Sequence, residues 1–374
     1  MEVNPFVIYG YVSEEFFCDR EQETKELYDS LRNGRNISLI APRRIGKSGL
    51  IDHLFHQDEV EKNYYTFHID IYATKNLQEF VLSMGKDILA SLQPRGKRIM
   101  RIFVSYLKSL QPGLSYDETG TPSFNLSIGE IHTPETTLDE IFRYLEEADK
   151  PCIVAIDEFQ TIADYPERTT EALLRTHIQR CHNANFIFSG SQRSMMAEMF
   201  LSAARPFYQS STTMNIDALS KTKYIPFAER LFCRDGRRLE NGVVEEVYNR
   251  FDGITWYMQR VMNELFGMTR EGELCTKTMI DIAVDHILHL NEFNYQSLLF
   301  QLPAKQKELL VAIAHAGKAQ NMLSQKFIRR YRLPSASFVQ SATKGLLEKE
   351  FITESLGVYE VYDKFFSLWI KRNL

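Results

Sequence analysis

Asn36–Ile51 reads NISLIAPRRIGKSGLI, and the order of residue types in it predicts a strand, a loop and a helix. Asn36 to Ile40 is a short apolar run, Ala41 to Ser48 is a loop rich in cations, and a helix-compatible segment continues through His56. A loop that ends in Gly-Lys-Ser at the start of a helix lets backbone amides converge on phosphate oxygens. Lys47 is placed to reach terminal phosphates and Ser48 to coordinate magnesium, with Pro42, Arg43, Arg44, Ile45 and Gly46 completing the candidate cradle. Ala41 stands where the usual pattern has its first glycine. Alanine is tolerated there if the backbone keeps negative φ and is costly if it does not. A basic surface turn after a core strand is the other reading of these residues.

The second acidic half of such a site is found at Pro151–Gln160, PCIVAIDEFQ, a buried-strand pattern that stops abruptly at Asp157-Glu158. An aspartate at that strand end can hold magnesium through water beside Ser48, and Glu158 is placed to orient or activate an attacking water. Taken alone, this segment also reads as a core strand followed by an acidic turn. The two segments in this order, each at the end of an apolar strand, predict an α/β fold of the P-loop NTPase type with a parallel sheet.

At this point the chain resembles a known group, the archaeal-type ATPases of the AAA superfamily, relatives of the signal-transducing ATPases with numerous domains and of the origin-recognition ATPases. The resemblance is carried by Phe17-Cys18-Asp19-Arg20-Glu21, PRRIGKS at Pro42–Ser48, IDEFQ at Ile156–Gln160, FIFSGSQRSMM at Phe186–Met196, ARPFY at Ala204–Tyr208 and DKFFSLWI at Asp363–Ile370. It implies an ATPase core, a helical lid and a C-terminal winged-helix domain, with ATP rather than GTP as the nucleotide. It further implies that the segment around Phe17 and Arg20 lies near the adenine, which makes both candidates for base or ribose contacts. Ser191 matches the family's sensor serine, although a structural turn is the other reading of Ser189-Gly190-Ser191-Gln192. The chain departs from the group at Ala41, at Ile254-Thr255-Trp256-Tyr257 in place of a Pro-Tyr-Tyr-like lid signature, and at Gln209-Ser210, where a basic residue often follows.

With 374 residues, 44% of them hydrophobic and 25% charged, the chain has apolar material for two or three globular units. Its start, MEVNPFVIYG, lacks the flanks of a secretory signal, and no run reaches the length of a membrane span. The expectation is a cytoplasmic protein without membrane contact. Five cysteines without a C-x-x-C pair support neither a disulfide framework nor a thiolate zinc site. The net charge of −5 is uneven: from Asn291 onward 12 Lys/Arg against 7 Asp/Glu give +5, so the preceding residues carry 32 against 42, or −10.

Along the chain, apolar spacing predicts helices over Glu21–Gly34, Leu77–Leu92, Arg98–Leu110, Thr137–Ala148 and Glu171–Arg180, strands over Tyr64–Ile71, Asn185–Phe188 and Thr213–Ile216, and a short hairpin around Phe124–Ile131. Asp70 ends its strand as either a site residue or a turn carboxylate. Arg193 and Arg205 are candidate positive charges near a terminal phosphate. Lid helices are expected over Lys221–Phe232, interrupted near Pro226, and over Val243–Phe251 and Trp256–Phe266, with Thr276–Leu288 completing the transition and with Trp256 and Tyr257 read chiefly as core packing. Pro303–Ala316, Ser324–Tyr331 and Ser335–Lys349 supply three helices. Phe351–Glu354, Gly357 and Val358–Tyr362 supply a wing, and Phe365, Phe366 and Trp369 close the core. The expected division is 1–218 for the ATPase core, 219–290 for the lid and 291–374 for the winged-helix domain.

These readings give a magnesium-dependent ATPase that binds ATP and ADP, with Glu158 and Ser191 catalytic, Ser48 and Asp157 on the metal, and a conformational switch as output. The alternative is a nucleotide-controlled protein-interaction module with very slow turnover. Lys326, Arg329, Arg330, Arg332 and Lys344 make duplex DNA a candidate partner of the last domain, beside a protein partner or a homo-oligomer.

Overall fold

The computed structural model describes residues 4–109, 114–116, 122–124, 131, 133–234 and 236–374. They form two compact units, Tyr9–Lys223 and a second made of residues 4–8 with Tyr224–Leu374.

In the first unit the chain runs through α1 (Glu21–Arg32), β1 (Ile37–Ile40), α2 (Lys47–Phe55), α3 (Asp58–Asn63), β2 (Tyr65–Asp70), α4 (Leu77–Leu92) and α5 (Lys97–Tyr106). A hairpin of β3 (Leu114–Tyr116) and β4 (Pro122–Phe124) follows, then α6 (Pro134–Glu147), β5 (Cys152–Asp157), α7 (Thr170–Arg180), β6 (Ala184–Gly190), α8 (Arg193–Leu201) and β7 (Thr212–Asn215). Five strands make one sheet in the order β2-β5-β6-β1-β7, and every pairing in it is parallel. Every residue of β1 and β5 is buried, as expected of interior parallel strands covered by helices on both faces. The edge strand β2 instead alternates between buried and less buried positions. The hairpin pairs Leu114 with Phe124; residues 125–130 of the hairpin expected around Phe124–Ile131 lie outside those described.

Helix α4 has the predicted bounds, because a broad apolar stripe and the Asn76 side chain, which accepts from the Glu79 amide at 2.8 Å, fix it locally. On α5 the buried side chains are Met100, Phe103 and Val104, while Ile102 is exposed. Helix α8, absent from the sequence reading, begins directly after the Ser189–Gln192 turn, and its buried Met196, Met199 and Phe200 come too late in the segment to mark its start.

The second unit contains α9 (Lys221–Cys233), in which the unit boundary falls, β8 (Arg238–Leu239), α10 (Val243–Arg250), α11 (Thr255–Met268), β9 (Leu274–Cys275), α12 (Thr278–Leu290) and α13 (Glu292–Phe300). After these come α14 (Ala304–Ala316), β10 (Ala319–Gln320), α15 (Gln325–Arg330), α16 (Ala336–Glu348), β11 (Ile352–Ser355), β12 (Val358–Val361) and α17 (Lys364–Asn373). Helix α9 continues through Pro226 rather than breaking there. The amide that proline lacks would have bonded the carbonyl of Thr222, an exposed residue near the helix start, where water can replace the partner. The leading residues are part of this unit: Phe6 is fully buried against Phe232 and Phe266, and Asn263 Nδ2 donates to its carbonyl at 2.8 Å.

Helices α14, α15 and α16 with the sheet β10-β12-β11 make a winged helix. Ser324 and Ser335 cap α15 and α16 by accepting the amides of Phe327 and Phe338. The two-residue turn between β11 and β12 holds both Leu356 and Gly357 at positive φ, the backbone that matches strand twist in tight hairpins. The stretch Phe365–Ile370 lies in α17, capped by Asp363, and buries Phe365, Phe366, Trp369 and Ile370. Among the described residues no helix is long and apolar enough to cross a membrane.

Candidate functional site

The register of the sheet sets Ile40 beside Gly190 and Ile156 beside Phe188, so the segments that follow β1, β5 and β6 emerge as neighbours at one edge. Open α/β sheets bind ligands at such a carboxyl edge. In the segment after β1 the left-handed residues are Arg44 (φ +68°) and Gly46 (φ +102°), so the strain that a glycine would relieve falls on Arg44 and not on Ala41. Lys47, 6% exposed, donates to the carbonyls of Ala41 and Pro42 at 3.1 and 3.2 Å and forms no ion pair among the described residues. Burial pulls its pKa down, while the neighbouring Asp157 and Glu158 carboxylates pull it up. A buried ammonium held only by two carbonyls favours an anion beside it.

Ser48 Oγ donates to Asp157 Oδ2 at 2.5 Å, which joins the loop after β1 to the end of β5. Glu158 follows in the left-handed conformation (φ +54°), a strain of about 1 kcal/mol held in place by what comes next. Phe159 is fully buried and packs on Phe188, Phe200 and Phe207 with ring centroids 4.6, 5.8 and 5.1 Å away. With Phe159 pinned, the Glu158 carboxylate meets three polar side chains. Gln160 Nε2 donates to Oε2 at 2.5 Å, Ser191 Oγ donates to the same oxygen at 2.6 Å, and Arg43 Nε lies 4.0 Å from Oε1 while donating to Ser191 Oγ at 3.1 Å. Gly190 makes this approach feasible: a Cβ there would stand 2.4 Å from Met196 Sδ and 2.5 Å from Gln160 Oε1.

Two residues that the sequence reading did not single out belong to this corner. His68, on β2, forms an ion pair of 2.7 Å with Asp52 on α2 and one of 3.9 Å with Asp157. Burial opposes its protonation, but the two carboxylates outweigh burial and raise its pKa to about 10. Burial also works against the Asp157 carboxylate, yet His68 and the Ser48 hydroxyl hold it well below the usual range. The only sequence signal for His68 was its place on a strand that ends beside Asp157, and that requires knowing the β2–β5 register. Gln160 is buried, and its Oε1 has no partner among the described residues.

The other candidates lie at different depths. Arg20, 4% exposed, donates to the carbonyls of Asp217 at 2.7 Å and Ile45 at 3.4 Å and pairs with Glu23 at 2.6 Å. It therefore braces the loop after β1 from behind. Phe17 stacks on His53 of α2 with centroids 4.3 Å apart and lies against Gly49. Arg193 is close enough to Lys47 to lower its pKa, whereas Arg205 is held by Glu171 at 2.9 Å and Glu198 at 3.7 Å. Asp70 accepts the Tyr72 amide at 2.9 Å, a turn carboxylate. In their own unit, Trp256 and Tyr257 pack on Phe365, and the Tyr257 hydroxyl accepts the Lys364 amide at 3.0 Å.

Among the described residues no group of three or more His, Cys, Asp and Glu side chains is arranged to hold a metal. A magnesium ion in a phosphate site needs only one or two protein oxygens, with phosphate and water completing its shell. The Ser48 hydroxyl beside the ionised Asp157 is a donor set of that kind.

A family model described as an ATPase domain predominantly from Archaea matches residues 17–261, and one described as a probable winged helix domain matches residues 293–372. No curated protein matches significantly. Among solved structures, the chain is similar to the Walker-type ATPase paby2304 of Pyrococcus abyssi, at 19% identity and a TM-score of 0.66 over 98% of this chain and 99% of that one. It is also similar to the ORC1 protein of Aeropyrum pernix, solved in complex with DNA, at 12% identity and a TM-score of 0.52 over 96% and 93%. The ORC2 protein of Aeropyrum pernix, described as ADPNP-ADP complexes, matches at 13% identity and a TM-score of 0.52 over 99% and 97%. At these identities the likeness speaks to the fold.

Proposed function

The chain belongs to the family of ATPase domains found predominantly in Archaea, and on that premise we propose that it binds ATP with magnesium and hydrolyses it to drive a conformational switch. The observation that carries this reading is the convergence of Lys47, Ser48, Asp157, Glu158 and Ser191 at adjoining strand ends. Lys47 exchanges its two backbone carbonyls for phosphate oxygens. Ser48 and Asp157 hold the magnesium ion, which when bound neutralises phosphate charge and aligns the transferring group. Glu158 orients the attacking water and accepts its proton at Oε1, the oxygen that Gln160 and Ser191 leave open. The division at 1–218, 219–290 and 291–374 belongs to the same proposal, the winged-helix part being the output.

A second reading, a nucleotide-controlled interaction module with very slow turnover, draws on the same corner: Ser191 and Gln160 both donate to Glu158 Oε2 and so restrain the base. Equilibrium ATP binding beside single-turnover hydrolysis decides between them. Lys47→Ala is expected to weaken binding on the order of 100-fold, since a charge-assisted phosphate contact is lost. Glu158→Gln is expected to keep binding and slow hydrolysis by about 100-fold or more. Wild-type affinity and rate in Lys47→Ala, or normal hydrolysis in Glu158→Gln, would sink the site assignment. Tight binding with no turnover that depends on Glu158 would favour the second reading.

Duplex DNA enters as a partner candidate because the Aeropyrum ORC1 protein of similar fold was solved with DNA. Its competitor is a protein segment, and the surface of the winged helix bears on the choice.

A further inference from the structure

The winged helix holds a cavity of about 1120 Å³ between the end of α14, α15, α16 and the wing. That is larger than most small-molecule pockets, which span roughly 300–1,000 Å³. Its charged lining is all of one sign: Lys318, Lys326, Arg330 and Lys344 face it, and no carboxylate does. Lys318 pairs with Asp252 at 3.3 Å and Lys344 with Glu348 at 3.8 Å, exposed pairs of the kind that contribute about 1 kcal/mol or less. Among the described residues Lys326 pairs with nothing, and Arg330 lies over the Tyr331 ring at 5.5 Å. The basic cluster read from the sequence is therefore divided, since Arg329 and Arg332 do not line the cavity.

The remaining lining is largely apolar. Leu323 and Leu347 are 53% and 37% exposed at its walls, Met322, Phe327 and Tyr359 line it deeper, and Leu356 at the wing tip is 99% exposed. Residues 350–363, which form the wing, contain Glu350, Glu354, Glu360 and Asp363 and no Lys or Arg. The wing therefore offers the phosphates of a duplex no cation of its own, and phosphate contacts dominate DNA affinity. A short peptide in the cavity meets only Gly357 and Tyr359 of the wing.

We propose that this cavity is the docking site for an acidic segment of a partner protein, anchored by large apolar side chains. Carboxylates of the segment meet the four cations, and its apolar residues cover Leu323 and Leu347, the mode in which an amphipathic segment lies in a groove. The proposal goes beyond the nucleotide reading and does not depend on it.

The test is a phage-displayed library of random peptides of about 15 residues, four turns if helical, selected on the full-length chain at physiological ionic strength without nucleotide. Enriched sequences should be acidic, with large apolar residues three or four positions apart. A synthetic peptide of the enriched sequence should lose about tenfold or more in affinity on joint Lys326→Glu and Arg330→Glu substitution, and about threefold on Leu323→Ser. Arg329→Glu, a charge change of the same sign outside the cavity, should leave it unchanged. All these positions are exposed, and thermal melts confirm that each variant folds. No acidic enrichment, or an equal loss in Arg329→Glu, overturns the proposal. A random-sequence duplex that binds more tightly than the peptide, and is lost in the joint variant, overturns it in favour of a nucleic-acid face.

Discussion

At the edge of the parallel sheet, Asp157 is held between the Ser48 hydroxyl and the His68 imidazole, whereas in the winged helix Lys326 and Arg330 stand at an open cavity with no carboxylate beside them. The first region has taken its charges out of water and must satisfy them with one another; the second leaves water to satisfy them. In the first, a charge that loses its partner leaves another buried and uncompensated, so position matters to a fraction of an ångström. In the second, charges act nearly additively and reach the fold weakly.

The sharpest way to break this contrast is Gly190→Ala. The added methyl collides with Met196 and Gln160, and overpacking of this sort costs about 1–3 kcal/mol. Chemical denaturation should show that loss, and hydrolysis should fall with it because Gln160 holds Glu158. A variant of wild-type stability and rate would mean that the corner is looser than its distances imply.

Next in size is His68→Gln, which removes a cation shared by two carboxylates and should cost on the order of 1–2 kcal/mol near neutral pH. The pH dependence fixes its origin. The folded-state pKa, about 10, lies above the ordinary 6.5, so the contribution is complete below about pH 6.5 and is lost as pH rises through about 10. Melts of metal-free, nucleotide-free protein should therefore show wild type losing its advantage over His68→Gln across that window. Parallel curves from pH 6 to 10 would place the stabilisation elsewhere.

The smallest effect sharpens the other side. Joint Lys326→Glu and Arg330→Glu substitution should change unfolding free energy by no more than about 0.5 kcal/mol per site, and ATP binding not at all. A large destabilisation would show that these cations support the fold.

Much of the architecture could be read from local pattern. The buried runs of β1 and β5, the apolar stripe of α4 and the serine caps of α15 and α16 are properties of a few consecutive residues, and their elements lie where the spacing puts them. Helix α13 was missed because only Tyr295 of its nine residues is buried, which leaves no stripe to detect. The break expected at Pro226 gave too much weight to a residue whose lost hydrogen bond falls near a helix start. At the candidate site, Lys47, Ser48, Asp157 and Glu158 could be named because each ends a recognisable strand or loop, and Ser191 through the family resemblance. Gln160 stood in the IDEFQ motif without a role assigned to it, and nothing local marked His68.

By itself, then, the sequence determined most of the succession of strands and helices, and the two loops whose residue types suit phosphate and magnesium. Hydrophobic periodicity and turn chemistry act over one or two turns of chain, so they are written where they act. Only the tertiary structure decided that His68 stands between Asp52 and Asp157, that Arg20 braces the loop after β1 through the Ile45 carbonyl, and that Lys326, Arg330 and Lys344 face one cavity while Arg329 and Arg332 do not. Each of those outcomes depends on strand register or on the face a helix turns inward. Both are settled by the packing of segments far apart in sequence, where a shift of one residue reverses which side chains meet.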